Sequence, residues 1–120
     1  MTARRILVVD DSADSAESLG MLLTMMGHEV RTSLSGPEAL EIAPEFKPDL
    51  VMCDLGMPGM SGYDLAPRLR GELGAAARLV ALTGYGSEED KRRTRAAGFD
   101  EHIVKPLDLD VLRIMLVPKP

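Results

Sequence analysis

The chain has 120 residues and a formal net charge of −5. That length supports one domain with a real core and excludes two, so the expected organisation is a single unit over residues 1–120 with no separate output domain. An acidic balance argues against a nucleic-acid surface, because phosphate backbones need a basic patch. The lone Cys53 excludes an internal disulfide and suits a reducing cytoplasm. No apolar run approaches membrane-spanning length, and the opening Met1-Thr2-Ala3-Arg4-Arg5 runs straight into Ile6-Leu7-Val8-Val9 without a secretory core. The expectation is therefore a cytoplasmic chain that neither inserts in a membrane nor binds nucleic acid.

In chain order, Ile6–Val9 is the first of four solidly apolar runs. Runs of this kind read as strands buried on both faces, as in a parallel sheet. Ala16, Leu19, Leu23 and Met26 then repeat at helical spacing, started by Asp14-x-x-Glu17 and stopped by Gly27. Glu29–Ser33 is a more polar strand and fits a sheet edge. Ser35-Gly36-Pro37-Glu38 forms a capping box before Ala39, Ile42, Ala43 and Phe46, and Pro44 should shorten that helix. Leu50–Cys53 is the next buried strand. Ser61 can cap a helix carrying Leu65, Leu69 and Leu73, in which Pro67 should produce a kink costing roughly 3 kcal/mol if uncompensated. Leu79–Leu82 follows. Ser87 can cap Glu88–Ala97, where Glu88–Arg92 and Glu89–Arg93 are favourable pairs one turn apart and the apolar stripe is almost only Ala96 and Ala97. Ile103–Val104 is the last strand, and Asp108 can cap a final helix with Leu109, Leu112 and Leu116 that Pro118 stops. Strand–helix alternation with short connections means an α/β fold with a parallel sheet, helices on both faces and right-handed crossovers.

The chemistry sits just after the strands. Asp10 and Asp11 follow the first, Asp54 the third, Thr83 and Gly84 the fourth, and Lys105 and Pro106 the fifth. In an open parallel sheet, ligands bind beyond the carboxyl ends of the strands, so four separated segments converge on one edge. Three clustered carboxylates repel and need a cation or a raised pKa. With no His or Cys beside them the donors are hard oxygens, which favours Mg²⁺ over zinc, with Mn²⁺ as the alternative ion. A carboxylate beside such an ion can attack phosphorus and form an aspartyl phosphate. The transferred group carries charge on three oxygens, for which the ion, the Lys105 ammonium and the Thr83 hydroxyl with a backbone N–H are the available partners.

Ile6-Leu7-Val8-Val9-Asp10-Asp11-Ser12, Asp54-Leu55-Gly56-Met57-Pro58-Gly59-Met60-Ser61-Gly62, Leu82-Thr83-Gly84 and Val104-Lys105-Pro106, in this order and spacing, resemble the receiver domains of two-component response regulators. The resemblance covers nearly the whole chain. It implies a flavodoxin-like sheet in strand order 2-1-3-4-5. It implies Asp54 as acceptor of a phosphoryl group from a phosphohistidine on a histidine kinase or histidine phosphotransfer protein. Asp11, Asp54 and the Gly56 carbonyl would bind Mg²⁺ directly and Asp10 through water; Thr83 and Lys105 would bind the phosphoryl group. Such a domain is a signalling switch that catalyses its own phosphorylation and dephosphorylation and turns over no external substrate, as a monomer or weak dimer. Most relatives have a cis Lys–Pro bond, here Lys105–Pro106. The segment Gly98 to Pro106 is similar to receivers attached to hybrid histidine kinases. The chain departs from the pattern at His102, where relatives carry an aromatic switch partner for the threonine, and at Gly56 and Tyr85, which bear on phosphoryl lifetime.

Taken singly, these residues have plainer readings. Asp10 and Asp11 would cap a helix, Asp54 would open a turn, Thr83 would be structural and Lys105 solvated; only their convergence promotes them. His102 reads as a half-exposed packing residue, His28 as part of the turn after the first helix and Cys53 as strand core. An aspartate-nucleophile phosphohydrolase would want a second carboxylate where Gly56 stands, and a capping insertion. A flavin or nucleotide module would want a phosphate-cradling loop where Asp10 and Asp11 repel. A degenerate receiver that binds without phosphorylation would not keep complete motifs.

Overall fold

The computed structural model describes residues 4–84, 88–105, 107 and 109–116. Its elements are β1 (Arg5–Val9), α1 (Ala13–Met25), β2 (Glu29–Ser33), α2 (Gly36–Phe46), β3 (Leu50–Asp54), α3 (Gly62–Leu73), β4 (Arg78–Thr83), α4 (Glu88–Ala97), β5 (Glu101–Val104) and α5 (Leu109–Leu116). The five strands form one parallel sheet in the order β2-β1-β3-β4-β5. This is the expected flavodoxin-like arrangement, with the polar strand β2 at an edge.

The continuous apolar runs are explained by a core on each side of the sheet. Side chains alternate faces along a strand. Ile6, Val8, Leu50, Met52, Val80 and Leu82 point to one face, where Ala16 and Leu23 of α1 and Leu112 and Leu116 of α5 cover them. Leu7, Val9, Val51, Cys53, Leu79 and Ala81 point to the other, under Ala39 and Ala43 of α2 and Leu65, Ala66 and Leu69 of α3. Burying a Leu or Val side chain stabilises by roughly 1.5–3 kcal/mol, so β1, β3 and β4 are the most firmly held elements. The guanidinium of Arg31 on the edge strand and that of Arg5 on β1 both lie over the Phe46 ring, 5.5 and 4.9 Å from its centroid.

Several helix ends differ from the sequence expectation. Ser12, not Asp14, caps α1: its side chain accepts from the Ser15 N–H, and Asp14 falls in the first turn. Ser35 caps α2 as expected, accepting from the Glu38 N–H, but Glu38 reaches back to the Leu34 N–H and not to Ser35. Pro44 does not shorten α2. The helix runs on to Phe46, which is buried, and Lys47 closes it in a left-handed conformation (φ 51°) with its N–H on the Ala43 carbonyl. Pro44 is exposed, so its missing N–H falls on the solvent side while Phe46 anchors the last turn. α3 likewise continues through exposed Pro67, held by Leu65, Ala66 and Leu69, and its start is a complete Ser61–Asp64 capping box. On α4, Glu88 pairs with Lys91 at 3.7 Å in place of Arg92. The Ser87 and Asp108 caps, the Pro118 stop and the Lys105–Pro106 bond lie outside the described residues.

His28 is buried at the start of β2, where Nδ1 accepts the Arg4 backbone N–H at 3.0 Å. The proton of the neutral ring is thereby assigned to Nε2, which is buried and has no hydrogen-bond partner among the described residues. Burial, and then the Arg4 charge, push the imidazole below its ordinary range. A native pKa below the unfolded value near 6.5 means that the unfolded chain binds the extra proton. Stability from this site is therefore complete above about pH 6.5 and declines as pH falls below it, with a slope of at most about 1.4 kcal/mol per pH unit. Urea denaturation across pH 7.5 to 5.5 checks this: His28→Asn, which keeps an acceptor near Nδ1, is expected to flatten the decline, and an unchanged slope would refute the assignment.

Candidate functional site

Backbone hydrogen bonds carry the sheet one step past the strands and fix the residues that follow them. The Asp10 N–H donates to the Ser33 carbonyl at 3.0 Å, extending β1 along β2. The Leu55 N–H donates to Leu82 at 3.1 Å, and the Lys105 N–H to Thr83 at 2.7 Å. Asp10, Asp54, Thr83 and Lys105 are thus each anchored beside a hydrogen-bonded strand end. Gly62, at the start of α3, lets that helix dock directly behind the acceptor strand: a Cβ there would lie 2.9 Å from the Asp54 carbonyl oxygen and 2.8 Å from Leu55.

Asp10, Asp11 and Asp54 each offer a carboxylate oxygen, and these oxygens lie within 4.8 Å of one another. Asp10 is buried, Asp54 half-buried and Asp11 exposed. One Asp10 oxygen accepts the Ser12 N–H at 2.9 Å, and one Asp54 oxygen accepts the Gly56 N–H at 3.0 Å. The Lys105 ammonium lies 3.3 Å from the other Asp54 oxygen and 3.7 Å from the other Asp10 oxygen. Burial raises the Asp10 carboxyl above its ordinary range, and the Asp54 and Asp11 charges add to this, while the Ser12 N–H and Lys105 oppose it. Cys53, the nearest soft ligand in sequence, is pushed up to about 12 by burial, then by Asp54 and Asp10. Its thiol stays protonated at neutral pH and gives the cluster no thiolate. The donor set is therefore all carboxylate oxygen, partly exposed and over-supplied with negative charge, which fits a hard divalent cation such as Mg²⁺.

Thr83 is buried and, with Asp54, Gly56 and Gly84, lines a cavity of about 390 Å³. Gly56 presents no side chain there; a Cβ would sit 3.7 Å from the Asp54 oxygen, in ordinary contact, so the position is open by sequence and not by steric demand. His102 is half-buried on β5 opposite Ala81, with Thr83 opposite Val104, so Thr83 and His102 share a sheet face. The His102 Nδ1 lies 3.3 Å from the Thr94 hydroxyl on α4, away from the carboxylates. Tyr85 lies outside the described residues. Sequence reading did not find Tyr63, Asp90 and Arg93, which complete the cavity wall. The Arg93 guanidinium sits 4.5 Å from the Tyr63 ring centroid, a contact between α3 and α4 that no local pattern announces.

An oxygen-lined acidic pocket with a lysine lies at the carboxyl ends of a doubly wound 2-1-3-4-5 sheet, the edge where flavodoxin-like domains bind their ligands. Residues 6–117 match the response regulator receiver domain, and the chain belongs to that family. It is 38% identical over 105 residues to the transcriptional regulatory protein KdpE of Mycobacterium tuberculosis, covering 88% of this chain and 46% of that protein. It is 36% identical over 108 residues to the sensor histidine kinase RcsC of Salmonella typhimurium, covering 90% of this chain and 11% of that one. The chain thus spans about half or less of the length of these relatives. Among solved structures, chemotaxis protein CheY4 of Vibrio cholerae superposes with a TM-score of 0.89 at 29% identity, over 96% of this chain and 97% of that one. A response regulator from Burkholderia pseudomallei, solved with a phosphorylated aspartic acid, a calcium ion and citrate, matches with a TM-score of 0.83 at 31% identity, over 93% of this chain and 64% of that one.

Asp11 gives the cleanest test of charge crowding, since it contributes charge to the cluster without contacting Lys105. Asp11→Asn is expected to raise the metal-free melting temperature by about 1–3 °C, in keeping with a partly screened surface charge, and to shrink the further rise expected of the unaltered protein in millimolar Mg²⁺. Thermal denaturation with and without Mg²⁺ measures both; a variant that melts lower without metal, or gains as much from Mg²⁺, contradicts the crowding.

Proposed function

We propose that this chain is a phospho-acceptor switch of a two-component phosphorelay that takes a phosphoryl group onto Asp54. The observation that carries the reading is the setting of the Asp54 carboxylate: one oxygen on the Gly56 N–H, the other against Lys105, beside Asp10 and Asp11 and facing the cavity that Thr83 lines. Asp11, Asp54 and the Gly56 carbonyl, with Asp10 through water, would hold Mg²⁺, which would supply charge neutralisation for donor and acceptor. The Gly56 N–H and Lys105 orient the Asp54 carboxylate. As the phosphoryl group arrives, Lys105 and the Thr83 hydroxyl take two of its oxygens, positions where developing charge is best stabilised. The phosphorylated aspartate of the Burkholderia pseudomallei relative supports the same chemistry here.

The donor on this reading is a phosphohistidine of a histidine kinase or phosphotransfer protein. The domain catalyses only its own phosphorylation and dephosphorylation, and works in the cytoplasm as a monomer or weak dimer. No helix among the described residues is long and apolar enough to cross a membrane. Its output is a changed protein surface around α4, β5 and α5, with Thr83 and His102 as the linking residues. α4 has one buried residue, Thr94, where α3 has four, Gly62, Leu65, Ala66 and Leu69, so α4 is displaced at less cost than α3.

Incubation with Mg²⁺ and acetyl phosphate is expected to add one phosphoryl mass unit to the intact protein, and Asp54→Asn to abolish the adduct. Intact-mass spectrometry decides it: an adduct that persists in the Asp54→Asn protein removes Asp54 as acceptor.

A further inference from the structure

We propose that Arg93 is a specificity-determining residue for the phosphoryl donor, selecting donors whose leaving group departs as an anion; this rests on Asp54 being the acceptor. The cavity of about 390 Å³ that Asp54 and Thr83 line is also bounded by Tyr63 and by Asp90 and Arg93 of α4. The volume is that of a small-molecule site. Gly56 is also in its lining and has no side chain to obstruct it. Two cations therefore serve the acceptor region from different elements. Lys105 lies against Asp54 and Asp10, while Arg93 stands at the cavity wall. Among the described residues Arg93 makes no ion pair with a carboxylate, and its recorded contact is the Tyr63 ring, 4.5 Å from the guanidinium carbon. Stacking on a ring orients the planar guanidinium and leaves its N–H edge available to a carboxylate.

The chemistry separates donors by what leaves. With acetyl phosphate, an Asp54 oxygen forms a bond to phosphorus, the bond from phosphorus to the acyl oxygen breaks, and its electron pair departs on acetate. Negative charge accumulates on that oxygen in the transition state, and a guanidinium beside it lowers the barrier. With phosphoramidate, the P–N bond breaks and the nitrogen, already protonated, departs as neutral ammonia. Arg93 has no anion to meet there. A phosphohistidine also transfers through a P–N bond, so the same residue leaves that route untouched and adds a direct small-molecule input.

The test compares initial phosphorylation rates of the full chain with Mg²⁺ and either acetyl phosphate or phosphoramidate, for the unaltered protein and for Arg93→Ala, Arg93→Lys and Tyr63→Leu. Arg93→Ala is expected to slow the acetyl phosphate reaction about fivefold, the size of one partly exposed charge-assisted hydrogen bond, and to change the phosphoramidate rate less than about twofold. Arg93→Lys keeps the charge without the fork and should fall between. Tyr63→Leu should weaken acetyl phosphate use alone, and the Arg93 effect should shrink at high ionic strength. Equal slowing with both donors, or none with either, overturns the assignment while leaving Asp54 as acceptor. Failure of the unaltered protein to react with either donor overturns the acceptor reading itself, and this one with it.

Discussion

Three like charges packed into one corner set the terms for everything around them. Two unit charges about 4 Å apart repel by about 4 kcal/mol at an effective dielectric of 20, and here the oxygens of Asp10, Asp11 and Asp54 all fall within 4.8 Å of each other. A fold tolerates this only when the backbone cannot relax away. Asp10 is held by the Ser33 carbonyl and the Ser12 N–H, and Asp54 by the ladder to β4 and the Gly56 N–H. Behind them β1 and β3 are sealed on both faces by side chains with essentially no exposure. The double-sided core therefore supplies the rigidity that keeps the carboxylates together, and Lys105 supplies the charge that makes the arrangement bearable without metal.

The strands were legible because a strand buried on both faces has no choice but a continuous apolar run. Leu50 to Cys53 and Leu79 to Leu82 could be placed, and the edge position of β2 followed from Glu29, Arg31 and Thr32. The convergence of Asp10, Asp54, Thr83 and Lys105 was legible for a topological reason: in a parallel sheet every strand ends at the same edge. Helix ends were less so. Ser12 and Asp14 both lie where a cap can form, and the choice went to Ser12 because Asp10 already fixes the Ser12 N–H. Pro44 misled because its cost depends on whether later residues anchor the helix, and the burial of Phe46 is a tertiary fact. Arg93 was read as a partner for Glu89 on its own helix; its place over Tyr63 depends on how α3 and α4 pack, which periodicity does not encode.

The same packing bears on how a change at Asp54 would spread. α4 carries one buried residue, Thr94, whose hydroxyl bonds back to the Lys91 carbonyl at 2.8 Å and faces the His102 ring at 3.3 Å. Its neighbour Arg93 rests on Tyr63. These are polar and cation–ring contacts, each of roughly 1 kcal/mol or less in a partly solvated setting, unlike the methyl-dense contacts that fix α3. Swinging a two-state element from 1:99 to 99:1 needs about 5.5 kcal/mol of differential interaction. A dianionic group engaging Lys105 and Thr83 is of a size to supply that only if the element it moves is lightly held, and α4 meets this condition. His102 in place of a tyrosine or phenylalanine then matters less as a rotating group than as a polar contact to Thr94, on the same sheet face as Thr83. A path from acceptor to surface through these hydrogen-bonding groups would leave the apolar core of the sheet undisturbed.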